Sequence, residues 1–183
     1  AQHPNGLANS SDQVGRNLMH HGLALVEIWA PERTDSHKGI ISALFICEEF
    51  AETDPARGFV NGVTLHITRN NGAGYQANGS HSGNVAPWGA SHHDWFRRHF
   101  GHVFNVLVVG DDLPIATNRV TLSLTETDSD GLAAPHITYK LDPNDRRLMS
   151  FGIDRALDLA RAVDATDVRV NAFTDASGNY APP

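Results

Sequence analysis

The chain has 183 residues, 40% of them apolar, and carries 14 basic against 21 acidic side chains for a formal charge of −7. That length suits one domain with a real hydrophobic core, and the acidic balance, with Lys38 and Lys140 the only lysines, argues against a surface built to neutralise nucleic-acid phosphates. Cys47 stands alone, which excludes an intrachain disulfide and a thiolate metal site, and no apolar run approaches the roughly 18 residues of a membrane span.

Residues 1–22 are polar and rich in Gly and Asn and read as a loop with at most one helical turn; nothing in them has the basic-then-apolar layout of a signal peptide. Leu23–Ala30 is the first strand, with Leu23, Leu25 and Glu27 on one face and Ala24, Val26 and Ile28 on the other. Gly39–Phe50 is a second strand closed by Glu48-Glu49, and Cys47 within it reads as a buried thiol. Val60–Thr68 is a third, where Val63, Leu65 and Ile67 alternate with Thr64, His66 and Thr68. Asn70–Pro87, full of Gly and Asn, is expected to be a long irregular stretch, serving as a lid or a subunit contact.

Trp88–Gly101 reads as a helix carrying Trp95, Phe96 and Phe100, and His102–Val109 as the next strand. Val120, Leu122 and Leu124 alternate with Thr121, Ser123 and Thr125 in the manner of a half-buried strand. Asp128-Ser129-Asp130-Gly131 is a turn, because Gly accepts positive φ and Asp bonds its own backbone; Ile137 and Tyr139 follow in a partner strand. The best-marked helix runs from Pro143 to about Val163, capped by Asp142 and apolar along Leu148, Met149, Ile153, Ala156, Leu157, Ala160 and Val163. Val168, Val170 and Ala172 mark a last strand, and residues 174–183 are a tail. Strands dominate the first two thirds and the clearest helix comes late, so the expected class is α+β: a mainly antiparallel sheet covered on one face by helices.

Eleven histidines raise the question of a metal. The densest set is His92, His93, His99 and His102, with His81 and Asp94 near; it lacks the i, i+4 pair with an intervening Glu of a zinc helix, so no metal ligand is assigned. No Gly-x-Ser-x-Gly elbow and no Gly-rich phosphate loop is readable, since Gly72-Ala73-Gly74 lacks the strand and helix of a dinucleotide turn.

Two separated stretches carry a resemblance. One is Val14-Gly15-Arg16-Asn17-Leu18 with His21. The other runs from Asp112 and Pro114 through Asn118-Arg119-Val120, Asp130-Gly131 and Ile137 to Tyr139 and the helix after it. Together, and in this order, they are similar to the middle of the glucose–methanol–choline (GMC) flavoprotein oxidoreductases. His20 stands where Asp is frequent, and Ala162-Val163-Asp164-Ala165 departs from a usual Gly-Ala helix ending.

That resemblance implies a substrate-binding domain of the FAD-linked reductase type occupying residues 1–183. Residues 1–22 would then be a linker from an FAD domain of the same chain, and 174–183 would lead toward a catalytic segment. FAD would belong to the whole enzyme, with none expected on residues 1–183 alone. The catalytic histidine is expected downstream of Pro183, so no catalytic residue is assigned here. Asn17 and His21 are expected near the flavin. The substrate, an alcohol or a sugar, would meet polar and aromatic groups on the sheet and near its loops: Glu27, Trp29, Glu48, His66 and Asn105. A stand-alone module for a small molecule or carbohydrate, and a His-rich metal protein, are the alternative readings. Substrate identity, electron acceptor and compartment are not readable.

Overall fold

A computed structural model describes residues 7–39, 42–69, 72–79 and 86–172. Seven strands and three helices follow in order: β1 (Gly22–Trp29), β2 (Ser42–Cys47), β3 (Val63–Arg69), α1 (Ala73–Ala77), α2 (Ser91–His99), β4 (Val103–Gly110), β5 (Arg119–Thr127), β6 (Ala133–Thr138), α3 (Pro143–Ala162) and β7 (Asp167–Ala172). Five strands form one sheet in the order β2-β3-β4-β1-β7, and every neighbouring pair in it is antiparallel. Strands β5 and β6 form a separate two-stranded ribbon. The expected α+β class with an antiparallel sheet is the observed one.

Strand alternation sorts the sheet into two faces. On one, Ala24, Val26 and Ile28 of β1, Val63 and Leu65 of β3, and Val106 and Val108 of β4 pack against Leu148, Met149, Ile153, Ala156 and Ala160 of α3. Helix α3 lies on this face because its apolar residues recur at three- and four-residue steps. Gly152 marks the tightest approach: a Cβ there would sit 2.5 Å from Val108 Cγ1 and 2.8 Å from Val63 Cγ2. The helix begins as its sequence dictates, with the Asp142 side chain accepting from Asn144 N at 2.8 Å and Pro143 in the first turn. It ends in a Schellman arrangement, Ala165 N donating to Ala160 O and Asp164 N to Arg161 O. Asp164 takes φ 51° there, the left-handed position that a glycine would fill without strain.

Four elements differ from the sequence pattern by more than two residues. Strand β3 begins at Val63 rather than Val60. Helix α2 begins at Ser91 rather than Trp88, because Gly89 at φ 85° turns the chain first. Within the stretch expected to be irregular, Ala73–Ala77 forms the short helix α1; residues 70, 71 and 80–85, with His81, lie outside the described residues. Strand β2 is shorter than Gly39–Phe50, and Cys47 at its end is half-buried against the core rather than fully enclosed. The short helices stand on the side of the sheet opposite α3, where His99 of α2 meets Trp29 edge-on at 5.7 Å.

Candidate functional site

The face opposite α3 carries the polar residues of the sheet. Glu27 lies between Asn105 on β4 and Arg169 on β7, and one step along the strands Leu25 lies between Leu107 and Asn171. His66 and Thr68 of β3 continue these two rows, opposite Leu107 and Asn105. Of the five residues expected to meet substrate, Glu27, Trp29, His66 and Asn105 therefore share one face. Glu48 does not join them. It follows β2 at the sheet edge, exposed, three strands across and about four residue steps along from Glu27, a separation of roughly 20 Å.

Burial divides the set further. Glu27 has no exposed surface and Asn105 and Trp29 have 1% each, whereas His66 is half-buried. Asn171 Nδ2 donates to Glu27 Oε2 at 3.1 Å. Tyr75 of α1 faces the same carboxylate: burial, then the negative charge of Glu27, pushes its hydroxyl above the usual phenol value. That phenol is a proton donor at neutral pH. Trp29 is held between the Arg169 guanidinium, 5.2 Å above its ring, and His99. The arrangement is a carboxyl group, a phenol and two amides closed over on the sheet floor, polar groups engaged within the fold.

Tyr75, Asn171 and Arg169 are not among the residues singled out from the sequence. Alternation in β7 put Arg169 and Asn171 on one face, but only the pairing of β7 beside β1 brings that face to Glu27. Tyr75 sits in the stretch expected to lack helix.

Three histidines in or just after α2 each bond a backbone carbonyl. His92 Nδ1 bonds Pro87 O at 3.0 Å, His99 Nδ1 bonds Trp95 O at 2.7 Å and His102 Nδ1 bonds Ala30 O at 3.2 Å. A carbonyl only accepts, so Nδ1 carries the proton in each ring. Burial holds the His99 pKa below its usual value. Among the described residues no three His, Cys, Asp or Glu side chains come together as a metal cluster.

The residues that carry the GMC resemblance gather at a second place, where the N-terminal segment, the end of β4, the root of the ribbon and the start of α3 meet. Asp112 Oδ2 accepts from His20 N at 2.9 Å and from the Tyr139 hydroxyl at 2.7 Å. Asn118 clasps Lys140, its Oδ1 accepting from Lys140 N at 2.9 Å and its Nδ2 donating to Lys140 O at 3.1 Å. Gly15 O accepts from Val120 N at 2.8 Å, and a Cβ on Gly15 would lie 2.1 Å from Val120 O. Asp145 adds a buried carboxyl near Asp112, its oxygens accepting from Leu113 N and Asn144 Nδ2; burial, and then Asp112, raise its pKa to about 6. This is a structural clasp. Asn17, at φ 56°, and His21 are exposed beside it, His21 about 20 Å from Glu27 along β1.

The described residues do not fit a dinucleotide. The sheet is antiparallel throughout, and the helix after Gly72 has five residues, too short to present an ordered phosphate cradle.

No family model matches the chain. Two curated proteins are similar to it along almost its whole length. It is 43% identical over 182 residues, 99% of this chain, to a 2-methyl-1,2-propanediol dehydrogenase of Mycolicibacterium austroafricanum, and this covers 32% of that protein. It is 26% identical over 172 residues, 94% of this chain, to the fructose dehydrogenase large subunit of Gluconobacter japonicus, covering 31% of it. The chain thus spans about a third of the length of the curated relatives it matches, and what it shares with them is one segment of two dehydrogenases.

Proposed function

We propose that this chain is the substrate-binding part of a longer FAD-dependent oxidoreductase of the GMC type. The observation that carries the reading is the end-to-end match to part of a diol dehydrogenase, with a second, weaker match to part of a sugar dehydrogenase. The names of both relatives describe substrates with several hydroxyl groups. The preferred substrate is therefore a small diol or polyol.

FAD, when bound, would accept the hydride of a CH–OH group. Its cradle and the catalytic base would come from polypeptide outside these 183 residues, with Asn17 and His21 on the surface turned toward them. The contribution of this chain is to bind and orient. Asn171 and Tyr75 lie about the buried Glu27 and shape the sheet face from within the fold. His66, half-open at the edge of the same face, marks the approach. No residue of this chain is assigned to the hydride-transfer step itself.

The test is a dye-linked dehydrogenase assay on the gene product containing this chain together with its flanking sequence. Diols, sugars and simple alcohols would be compared. Reduction of the dye with vicinal diols or sugars, by a protein that purifies yellow, is the expected result. A product that holds FAD yet oxidises none of them would overturn the reading, as would stoichiometric FAD on residues 1–183 alone.

A further inference from the structure

The ribbon of β5 and β6 leaves most of its apolar face open. Val120 pairs with Ile137 and Leu122 with Pro135, so these four share one face. Thr121, opposite His136, lies on the other face. An amphipathic ribbon ordinarily buries its apolar side. Here Leu122 is 66% exposed, Ile137 60% and Leu132 66%, and Leu124, at the irregularity beyond Leu122, is fully exposed, while Thr121 and Ser123 are half-buried. The alternation expected from the sequence is present, but the half-buried reading is corrected: Leu122 and Leu124 face outward, because no element of the described residues packs on that side.

The root of this ribbon is fixed. Arg16 bridges to Arg119, Gly15 O holds Val120 N, Asn118 clasps Lys140 and Tyr139 bonds Asp112. The turn at the tip is closed as well, with Asp128 Oδ1 accepting from Asp130 N and Leu132 N at 2.9 Å each. The arm is thus held in one direction before anything touches it, which lowers the entropic cost of docking. A lone two-stranded ribbon is marginal in water unless one face is covered.

We infer that the outward face of the ribbon, Val120, Leu122, Leu124, Pro135 and Ile137, is the seat on which the remaining part of a longer polypeptide packs. The inference rests on the reading of the chain as one segment of a longer dehydrogenase, and the length of the relatives chooses this occupant. Both relatives carry about twice as much further sequence as the matched segment, so a covalently attached surface is at hand. Tethering supplies the effective concentration that a small contact needs. The matching surface is apolar and free of charge at its centre.

The experiment compares residues 1–183 with the flanked gene product. Leu124→Cys is placed in a Cys47→Ser background, so that one exposed thiol reports on the ribbon, and maleimide labelling is timed in both. Labelling at least tenfold slower in the longer protein supports the inference; equal rates overturn it. Amide exchange across residues 119–138, which needs no substitution, gives a second readout. Protection gained in the longer protein and lost in Leu122→Ser/Ile137→Ser supports the seat, while equal exchange in both overturns it. A concentration-dependent dimer of residues 1–183 that the same double substitution abolishes would assign the face to a second copy instead. A gene encoding nothing beyond these residues removes the occupant. Slow labelling in a protein without dehydrogenase activity would sink the functional reading and leave this one standing.

Discussion

Asp145 at the start of α3 and Asp112 after β4 are neighbouring carboxyls in the interior, 2% and 8% exposed. Two buried carboxyls this close are relieved of repulsion when one of them holds a proton. Below about pH 6 Asp145 holds it, because burial and the neighbouring Asp112 both disfavour its charge. Asp112 Oδ2 is committed to the N-terminal segment and to Tyr139, while its Oδ1 makes no hydrogen bond among the described residues. The protonation of Asp145 therefore bears on the whole clasp.

A pH dependence follows from that pair. The Asp145 pKa is about 6 in the folded chain against 3.8 as its ordinary value, so the folded state holds a proton that the unfolded state has released. Stability from this group is full below about pH 4 and is lost as the pH rises through about 6, by at most about 3 kcal/mol. Asp145→Asn supplies a permanent N–H toward Asp112. Chemical denaturation at pH 4.5 and pH 7.5 is expected to show the variant gaining on the parent at the higher pH, with a flatter slope between; parallel slopes would remove the proton from the account.

The end of α3 offers a stabilising substitution. Asp164 adopts φ 51° at the position after the helix cap, where a side chain is strained and glycine is not. Asp164→Gly is expected to raise stability by about 0.5–1 kcal/mol, read as a higher denaturation midpoint at constant slope. A loss of stability would show that the Asp164 side chain contributes more than its backbone strain costs.

Gly152 should be intolerant in the opposite sense. On helix propensity alone, alanine in mid-helix would stabilise by up to about 1 kcal/mol. The added Cβ, however, would press into Val108 and Val63 of the sheet at 2.5 and 2.8 Å. Gly152→Ala is expected to destabilise by about 1–3 kcal/mol as α3 is pushed off the core. A thermal midpoint equal to the parent would mean the helix can shift without loss.

Glu27 separates a binding role from a packing role. In the flanked, active protein, Glu27→Ala removes a fully buried carboxyl together with the oxygen to which Asn171 Nδ2 donates. Stability is expected to fall by about 1–3 kcal/mol while KM for the preferred diol or sugar holds. A tenfold rise in KM at an unchanged thermal midpoint would return Glu27 to a binding role.

Much of the fold was legible because it rests on local patterns. The two faces of β1, the alternation in β3, the Asp128–Gly131 turn and the capped, one-sided helix α3 are written in residue order, since periods of 2 and 3.6 fix which side chains share a face. Glu27 and Trp29 share a side of β1 for the same reason, whereas the pairing of β4 with β1 and of β3 with β4 brought Asn105 and His66 to that side. Pairing order was not legible, because strands β7 and β1, some 140 residues apart in sequence, meet only by packing on α3. That meeting brings Asn171 to Glu27. The folding of Ala73–Ala77 into a helix that carries Tyr75 over the same carboxylate is likewise a tertiary outcome, since a five-residue helix is not stable by propensity.

By itself, the sequence determined the α+β class, the helix that backs the sheet and the two stretches that mark the family resemblance, since each depends on neighbours within one or two turns of chain. Only the tertiary structure decided that those stretches close into a clasp around Asp112, that Glu27 is sealed beneath α1, and that the ribbon shows its leucines to the outside. Burial is a property of what lies across space, and alternation along a strand names two faces without saying which of them is covered.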